Sequence, residues 1–436
     1  MAFSLHGVHV PHRKHTAGMD AVRMDAPKTV TIPMSMHIGK PATPVVKVGD
    51  MVCVGTLIAE QSGFVSAPIH SSVSGKVTKL TEILTYGGTT VPAIQIESDG
   101  LMTPDPALAP KEIGSADELI DAMRDCGLVG LGGAGFPTYV KYKVEKEKIQ
   151  ELVVNGAECE PYITSDSYTM EKRSEDIALA LELMEKHLGI KKIIIGIESN
   201  KAKSIESMQA LAAKDSNVQV KVLPAMYPQG GEKVLIYHTT GKSVPLGKLP
   251  IDVGCIVANV TSLAVLGQYV RTGMPLVEKC VTVDGAAVHE PKNVIAPIGT
   301  SMDDLFAFCG GLDSEPAKVL YGGPMMGISV PDTASPVLKT TNAVLALNKK
   351  EAALPETTPC IRCGTCTNTC PFGMAPASIL KAYEKKDFEA LDKLKVDLCM
   401  ECGCCSYVCP ASQPLTQTNR LAKAALKEYK AKEEKK

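Results

Sequence analysis

The chain has 436 residues, which is enough for about three domains. Its 45% hydrophobic and 22% charged residues are ordinary for a soluble globular protein. The formal net charge of −2, the absence of Trp and an aromatic content of 4% leave neither the positive field nor the stacking surfaces of a nucleic-acid-binding protein, so that class is excluded.

The N-terminal segment "HGVHVPHRKH" places His6, His9, His12 and His15 three residues apart. Imidazoles bind many transition metals. A period of three does not keep four side chains on one face of an α-helix, however, and Pro11 would break a helix at this point. We therefore expect a polar segment here rather than a metal site.

The segment 45–80 contains short runs rich in Val and Ile that are separated by turn residues. This pattern favours a compact β-sandwich of the kind found in lipoyl and biotinyl carriers. Carriers need a lysine at a hairpin tip, and the corresponding turn "EQSGF" has none. The segment is therefore predicted to be a structural or docking module.

A glycine-rich loop, "GLVGLGGAGFPTYVKYKVEK", covers residues 127–146. Gly130, Gly132 and Gly135 fit the pattern GxGxxG, which in dinucleotide-binding folds follows a strand. The preceding "SADELIDAMRDCG" has its apolar residues at helical spacing and ends at Gly127. The loop therefore leaves a helix, and the ordinary Rossmann turn does not account for it.

The region after the glycine loop alternates strands and helices in the order βαβαβ, which predicts a mostly parallel sheet with helices on both faces. The predicted strands are one that runs to Val154, 191–198 and 218–228; the predicted helices are 174–189, 204–215 and one that begins within 230–241.

Polar residues follow two of these strands, where ligands of parallel sheets bind. They are Asn155, Glu158 and Glu160 after one strand, and Tyr227, Gly230 and Glu232 after another. The helix that follows could receive an anion at its N-terminal amides. Ordinary polar loops would look similar, but the glycine loop and Lys141 favour a ligand that bears a phosphate.

The most apolar segment is Val253–Val270, which is interrupted by Asn259, Thr261, Ser262 and Gln268. No run reaches the roughly 18 to 20 apolar residues of a membrane span, and the N-terminus lacks the apolar core of a signal peptide. The chain is predicted to be cytoplasmic, with any membrane association made through a partner. Beyond it, the segment 281–311 reads as strand, turn, strand and helix.

Nine of the fifteen cysteines lie between Cys360 and Cys409. Eight of them form two copies of the pattern C-x2-C-x2-C-x3-C-P. Closely spaced thiolates of this kind bind [4Fe–4S] clusters, and in two-cluster ferredoxins the fourth cysteine of each copy ligates the other cluster. The segment between the copies, 376–396, is charged and predicted to be helical.

The pattern therefore predicts two ligand sets. The first set is Cys360, Cys363, Cys366 and Cys409, and the second set is Cys399, Cys402, Cys405 and Cys370. Zinc sites close with four ligands and do not need this duplicated pattern. Cys404 and the six scattered cysteines are expected to be packed thiols.

Several segments resemble the NADH-binding flavoprotein subunit of respiratory complex I. "GLGGAGFPTYVKY" resembles its "GRGGAGFPTGLKW", and "NGAECEPY" resembles its "NADEGEPG". "YPQGGEKVL" is similar to its "YICGEETAL", and "IVANVTSL" to its "VINNVETL". In that family these segments surround an FMN, with NADH lying over the flavin.

The whole chain resembles the RnfC family of the Rnf electron-transport complex, in which a barrel-sandwich module precedes the flavin domain and a two-cluster tail follows it. "HGVHVPHRK" is similar to the opening "GGIHPP" motif of that family, and "ECEPYITSD" and "YPQGGE" take its own forms. The resemblance implies an FMN, two [4Fe–4S] clusters and NAD(H) as substrate.

The resemblance also implies roles for individual residues. Gly132, Gly133 and Gly135 would pass against FMN, Lys141 would meet its phosphate, and Asn155, Glu158 and Asn259 would hold its ribityl or ring atoms; Tyr227 and Gly230 belong to the same cofactor site. Phe136, Glu160 and Glu232 would contact the nicotinamide nucleotide. Leu131, Ala157, Gly231 and Ala258 replace polar residues of complex I, which weakens the nicotinamide assignment.

The predicted fold is multidomain α/β and α+β. It consists of an N-terminal β barrel-sandwich (1–100), a Rossmann-like α/β domain for FMN and NAD (112–275), a β-grasp module (276–330), a linker (331–354), a helical two-[4Fe–4S] ferredoxin-like domain (355–422) and a charged tail (423–436) that we expect to be a solvated helix. The β-grasp module would hold the flavin domain against the iron–sulfur domain.

The resemblance implies a peripheral subunit on the cytoplasmic face of a membrane ferredoxin:NAD⁺ oxidoreductase. Its partners would be the other subunits, ferredoxin upstream and NAD(H), and ion translocation would belong to the other subunits. Two alternatives stay open. One is a soluble relative that delivers electrons to cobalamin or to a partner reductase; the other is a non-catalytic electron relay, for which Gly231 and Ala258 are the best support.

Overall fold

The computed structural model describes residues 6–85 and 88–433. Parts of two predicted units lie outside the described residues: positions 1–5 and 86–87 of the N-terminal module, and positions 434–436 of the charged tail. The predicted multidomain architecture is confirmed: two β-sheets, a parallel α/β domain, a mixed sheet and a helical domain follow one another along the chain.

The N-terminal module is built from two small antiparallel sheets packed face to face. Its strands are β1 (Val22–Arg23), β2 (Thr29–Pro33), β3 (Thr43–Pro44), β4 (Met51–Val52), β5 (Leu57–Glu60), β6 (Ile69–His70), β7 (Gly75–Leu84) and β8 (Thr90–Ser98). One sheet has the order β2-β8-β7-β4 and the other β3-β5-β6. Ile32, Ile58 and Ile94 are fully buried in its core, as the predicted barrel-sandwich requires.

The α/β domain begins with the predicted helix before the glycine loop. Its elements are α1 (Ala116–Asp125), α2 (Thr138–Tyr142), β9 (Glu151–Asn155), α3 (Ser165–Lys172), α4 (Ser174–Leu188), β10 (Ile193–Glu198), α5 (Ala202–Ala212), β11 (Val218–Leu223), α6 (Glu232–Thr240), β12 (Cys255–Asn259) and α7 (Val260–Thr272). Short 3₁₀ turns lie at Lys146–Lys148 and Pro250–Val253. All four strands run parallel in the order β11-β10-β9-β12.

Two differences from the predicted elements have clear causes. Strand β11 ends at Leu223 because Pro224 cannot donate to the sheet. The apolar run Val253–Val270 is divided between β12 and α7, with Asn259 as the N-cap of the helix. None of the helices in the described part of the chain is long and apolar enough to cross a membrane.

The third unit is a mixed six-stranded sheet with one helix. Its own elements are β13 (Glu278–Asp284), β14 (Lys292–Pro297), α8 (Met302–Phe308), β15 (Lys318–Tyr321), β16 (Ile328–Val330) and β17 (Ala343–Leu347). The strand order is β1-β14-β13-β17-β15-β16. Strand β17 lies in the segment predicted as a linker, and all five of its residues are buried at the centre of the sheet.

The C-terminal unit is helical and contains both cysteine repeats. Its helices are α9 (Thr365–Thr369), α10 (Pro376–Glu384), α11 (Phe388–Lys393), α12 (Cys404–Tyr407) and α13 (Leu415–Glu433), with a 3₁₀ turn at Val396–Leu398. Helix α13 extends through most of the predicted tail. Leu426 is buried there and Tyr429 stacks on Phe388, so this part of the tail packs on the domain.

Candidate functional site

The carboxyl ends of β9 and β12 bring two asparagines side by side. Asn155 and Asn259 are direct partners in the register of these neighbouring strands. The Asn155 amide donates to the carbonyl of Gly230 at 2.9 Å, just before α6. These residues define one patch at the edge of the sheet, which we call the strand-end patch: Gly132, Lys141, Asn155, Gly230, Glu232 and Asn259.

The glycine loop folds back on itself beside this patch. Gly130 N donates to Phe136 O at 2.9 Å, and Thr138 N donates to Leu128 O at 3.0 Å. A Cβ on Gly132 would lie 2.6 Å from the Asn259 side chain, whereas a Cβ on Gly133 would meet nothing within 4 Å. The exposed backbone around Gly133 is therefore open to close approach by a ligand.

Gly135 fixes the other end of the loop. Its φ of +70° lies in the left-handed region, and a Cβ there would lie 2.9 Å from the Thr340 side chain. Its carbonyl accepts from Ile38 N at 3.1 Å. The N-terminal module and the segment before β17 thus hold the loop from behind, and Phe136 is half-buried beside it.

Lys141 has only loose partners. Its Nζ lies 3.6 Å from a Glu232 carboxylate oxygen and 3.4 Å from Val257 O, and the side chain is 30% exposed. Both contacts are long for a lysine that is firmly engaged. Helix α6 begins at Glu232 with no side-chain cap, so its first amides are also available. Together they suit an incoming phosphate.

Asn259 is mostly committed within the protein. Its Oδ1 caps α7 by accepting from Thr261 N and Ser262 N, and its Nδ2 donates to Asp166 at 2.8 Å. Asp166 also accepts from the Thr261 hydroxyl at 2.6 Å. One N–H of Asn259 remains for a ligand.

Glu158 supports this arrangement from below. Its carboxylate accepts from Asp166 N at 2.6 Å and from the Ser167 hydroxyl at 2.5 Å, at the start of α3. Burial raises the pKa of Glu158 to about 7, an effect that the nearby Lys14 ammonium opposes. The structure places this carboxylate at the helix start that positions Asp166.

Glu160 and Tyr227 lie toward the other domains. The Glu160 carboxylate accepts from Met325 N at 3.1 Å and Met326 N at 2.7 Å, and burial raises its pKa to about 7. The Tyr227 hydroxyl donates to Cys402 O at 2.6 Å. Both residues therefore hold the α/β domain to the mixed sheet and the iron–sulfur domain.

The N-terminal histidine segment lies along these loops. Lys14 Nζ donates to the carbonyls of Glu158, Glu160 and Ile163, and burial lowers its pKa. Val8 pairs with Tyr227 through two backbone hydrogen bonds of 2.8 and 2.9 Å. Lysine, rather than histidine, is thus the anchoring side chain of this segment.

Histidine contacts in the segment are few. His15 Nδ1 lies 2.9 Å from Asp284 Oδ1, and His12 lies 3.3 Å from the Asn200 amide. Across residues 6–85 and 88–433, no group of three or more His, Cys, Asp or Glu side chains is arranged to hold a single metal ion.

Gly231 makes room for the iron–sulfur domain. A Cβ on Gly231 would lie 2.4 Å from the Met400 methyl group, so the Met400 side chain occupies the space where the complex I flavoprotein has a glutamate. Met400 lies between two cysteines of the second set and contacts a cluster that includes Val8, Tyr227 and Cys402. The second cysteine repeat therefore touches the start of α6 directly.

The other three replacements are buried. Leu131 is 1% exposed, and Ala157 and Ala258 are at most 8% exposed. Leu131 N donates to the Ser262 hydroxyl at 3.2 Å. These positions serve packing of the loop and the strand ends.

The eight repeat cysteines line two separate cavities, and each cavity gathers one predicted set. Cys360, Cys363, Cys366 and Cys409 line one, and Cys370, Cys399, Cys402 and Cys405 line the other. Residues far apart in sequence thus meet as cross-ligation requires. Four thiol groups around a cavity fit a cubane cluster.

The two cavities differ in exposure. Cys360 and Cys363 are exposed, whereas Cys402 and Cys405 are buried. Cys404, predicted as a packed thiol, is 1% exposed and packs with Tyr227 and Val8. The first set therefore lies at the surface and the second set lies against the α/β domain.

Sequence reasoning missed Lys14, Asp166 and Met400 as parts of the site. Lys14 stood in a segment whose histidines drew attention, and Asp166 looked like an ordinary acid in the first turn of a helix. Met400 gave no signal, because its role depends on the contact between two domains.

Four family models match the chain in succession. They are the RnfC barrel sandwich hybrid domain at residues 3–101, the Nuo51 FMN-binding domain at 123–268, the SLBB domain at 280–329 and the 4Fe-4S dicluster domain at 354–410.

Curated relatives match most of the chain. It is 42% identical over 378 residues to the RnfC subunit of the Na⁺-translocating ferredoxin:NAD⁺ oxidoreductase complex of Acetobacterium woodii, covering 86% of this chain and 85% of the relative. It is 40% identical to the corresponding subunit of the proton-translocating complex of Clostridium ljungdahlii, covering 87% and 84%. The corresponding subunit of the ion-translocating oxidoreductase complex of Rhodobacter capsulatus is 38% identical, covering 98% and 84%.

A solved structure shares the fold. The NAD⁺-reducing [NiFe]-hydrogenase in its H2-reduced state superposes with a TM-score of 0.50 at 18% identity. The match covers 71% of this chain and 62% of that chain, which is less than two thirds of its length. At this identity the likeness shows the fold alone.

Proposed function

Because the chain belongs to the RnfC family, which supplies one subunit of the ion-translocating ferredoxin:NAD⁺ oxidoreductase (Rnf) complexes, we propose that it transfers electrons between NAD(H) and the other subunits of such a complex. FMN, when bound, supplies the exchange between a hydride and single electrons. The two iron–sulfur clusters carry single electrons between the flavin and a partner.

The strand-end patch is the FMN site of this proposal. The open backbone at Gly133 allows a close approach, and the loosely held Lys141 ammonium together with the first amides of α6 would neutralise the phosphate. Asn155 and Asn259 each keep one N–H for the ribityl or ring atoms. Glu158 acts through Asp166 by holding Asn259 in place.

Phe136 and Glu232 are the proposed contacts of the nicotinamide nucleotide. Phe136 lies half-buried in the glycine loop, and Glu232 lies at the start of α6. Glu160 has both oxygens engaged by backbone amides, so its proposed part is to fix the loop that follows Asn155.

The contact of Met400 with Gly231 carries the proposed route. It puts the second cysteine set, Cys399, Cys402, Cys405 and Cys370, next to the flavin patch. The first set, Cys360, Cys363, Cys366 and Cys409, is then the outer one, and its exposed cysteines suit exchange with a partner protein. Electrons pass between the flavin, the second set, the first set and the partner.

The partners in this proposal are the other subunits of the complex, ferredoxin upstream and NAD(H). The protein lies on the cytoplasmic face of the cell membrane, and ion translocation belongs to the other subunits. Gly231 had been the main support for a non-catalytic relay, and the Met400 contact gives that glycine a different reason.

Two experiments test the proposal. NADH added anaerobically to the chain loaded with FMN and clusters should bleach the flavin; an unchanged flavin spectrum would contradict NAD(H) chemistry. In fractionated native cells the chain should sediment with the membranes and be released with the complex. Recovery entirely in the membrane-free fraction would favour the soluble alternative.

A further inference from the structure

Asn419 lies in the wall of the second cysteine cavity. It is on α13, it is 1% exposed, and its Nδ2 donates to the sulfur of Cys399 at 3.4 Å. Its Oδ1 is buried and has no hydrogen-bond partner among the described residues.

This arrangement needs an explanation, because a buried amide oxygen without a partner destabilises the fold. An apolar residue of the same shape would avoid that cost. The amide is favoured here only if the acceptor of its N–H is strong. A cysteine sulfur bound to a cluster carries negative charge and is such an acceptor, whereas a thiol is a weak one.

We infer that Asn419 raises the reduction potential of the cluster held by the second cysteine set; this inference rests on the proposed function. Reduction adds negative charge that spreads onto the sulfur ligands. An N–H aimed at one sulfur stabilises the reduced form more than the oxidised form.

The other groups around Cys399 do not supply the same effect. Glu401 N also donates to the Cys399 sulfur at 3.4 Å, but it is a backbone group. Arg420 and Lys423 both pair with the Glu401 carboxylate, which offsets part of their charge. Asn419 is the neutral side-chain donor in this wall.

The first set offers a matched control. The Thr365 hydroxyl donates to the sulfur of Cys363 at 3.3 Å. This contact is exposed, so water can replace the donor. The substitution Thr365→Val removes a comparable donor from the other cluster.

The experiment is an anaerobic redox titration of the reconstituted full chain, followed by electron paramagnetic resonance. Iron and sulfide are measured first: a parent chain that cannot hold two clusters would sink the proposed function, before potentials are compared. Asn419→Leu should shift one of the two reduction steps to lower potential at full cluster content. Thr365→Val should leave that step at the parent potential.

The inference is overturned if Asn419→Leu retains both clusters and both steps stay at the parent potentials. It is equally overturned if Thr365→Val moves the same step. Should the leucine not fit, Asn419→Ala removes the donor without adding bulk, and the same shift is expected of it; unshifted steps in that variant count against the inference.

Discussion

At the scale of single residues, the strand-end patch separates side chains that are already committed from those that are free. Asn155 and Asn259 spend most of their hydrogen-bonding capacity inside the protein. Lys141 keeps only long contacts. The charge available for a phosphate is therefore concentrated in one side chain.

Substitution of Lys141 tests this division. Lys141→Ala should weaken FMN binding about tenfold or more, because a hydrogen bond to a charged group contributes about 1.5–3 kcal/mol. Flavin retention after gel filtration measures the effect, and cluster absorbance should not change. Lys146→Ala, at an exposed position, is the control. Equal flavin content in the Lys141 variant and the parent would remove this lysine from the phosphate site.

Two neighbouring glycines predict opposite outcomes. Gly133→Ala adds a methyl group to open space, so the melting temperature without FMN should stay near that of the parent while FMN binding weakens. Gly132→Ala collides with the Asn259 side chain and should lower the melting temperature even without FMN. Tight FMN binding by the Gly133 variant would show that the ligand does not approach there.

At the scale of elements, Lys339 joins three parts of the chain behind the glycine loop. Its Nζ donates to Pro68 O and Gly127 O at 2.7 Å each, and the side chain is 1% exposed. Burial lowers the pKa of Lys339 to about 7, and only Cys126 opposes the shift. The buried ammonium fixes the N-terminal module to the end of α1.

The low pKa makes stability depend on pH. Between the folded pKa of about 7 and the unfolded value of 10.5, the unfolded chain binds the extra proton. This group therefore makes the fold less stable below about pH 7 and relieves that cost as the pH rises. In Lys339→Met the rise of the melting temperature between pH 7 and 9 should be smaller than in the parent; an identical rise would contradict the assignment.

The elements themselves were largely predictable from sequence, and their meetings were not. The helix Ala116–Asp125 could be foreseen because Ser115 caps it and Gly127 follows it in the left-handed region. The cysteine sets followed from spacing alone. Strand β17 could not be placed, because a short apolar run such as Ala343–Leu347 becomes a strand only beside β13 and β15.

At the scale of the whole molecule, the α/β domain and the iron–sulfur domain meet through a few contacts around the second cysteine repeat. Met400 lies against Gly231, and the Tyr227 hydroxyl donates to Cys402 O. Gly403 leaves room for Met325 of the mixed sheet. The proposed electron route depends on this junction.

A larger residue at the junction should slow electron transfer. Gly231→Val would displace Met400 and move the second repeat away from the flavin patch. We expect slower reduction of the clusters after NADH is added, at unchanged flavin and iron content, as measured by stopped-flow absorbance. The double variant Gly231→Val with Met400→Ala provides space and should recover part of the rate; no recovery would mean that Met400 is not the obstacle.

The most direct test of the flavin-to-cluster route is rapid anaerobic mixing of NADH with the full chain, with and without FMN, followed by freeze-quench electron paramagnetic resonance. We predict that the clusters become reduced only in the chain that holds FMN, and only after the flavin has been bleached. Reduction of the clusters by NADH in the FMN-free chain, or no reduction of the clusters behind a bleached flavin, would contradict the proposed route.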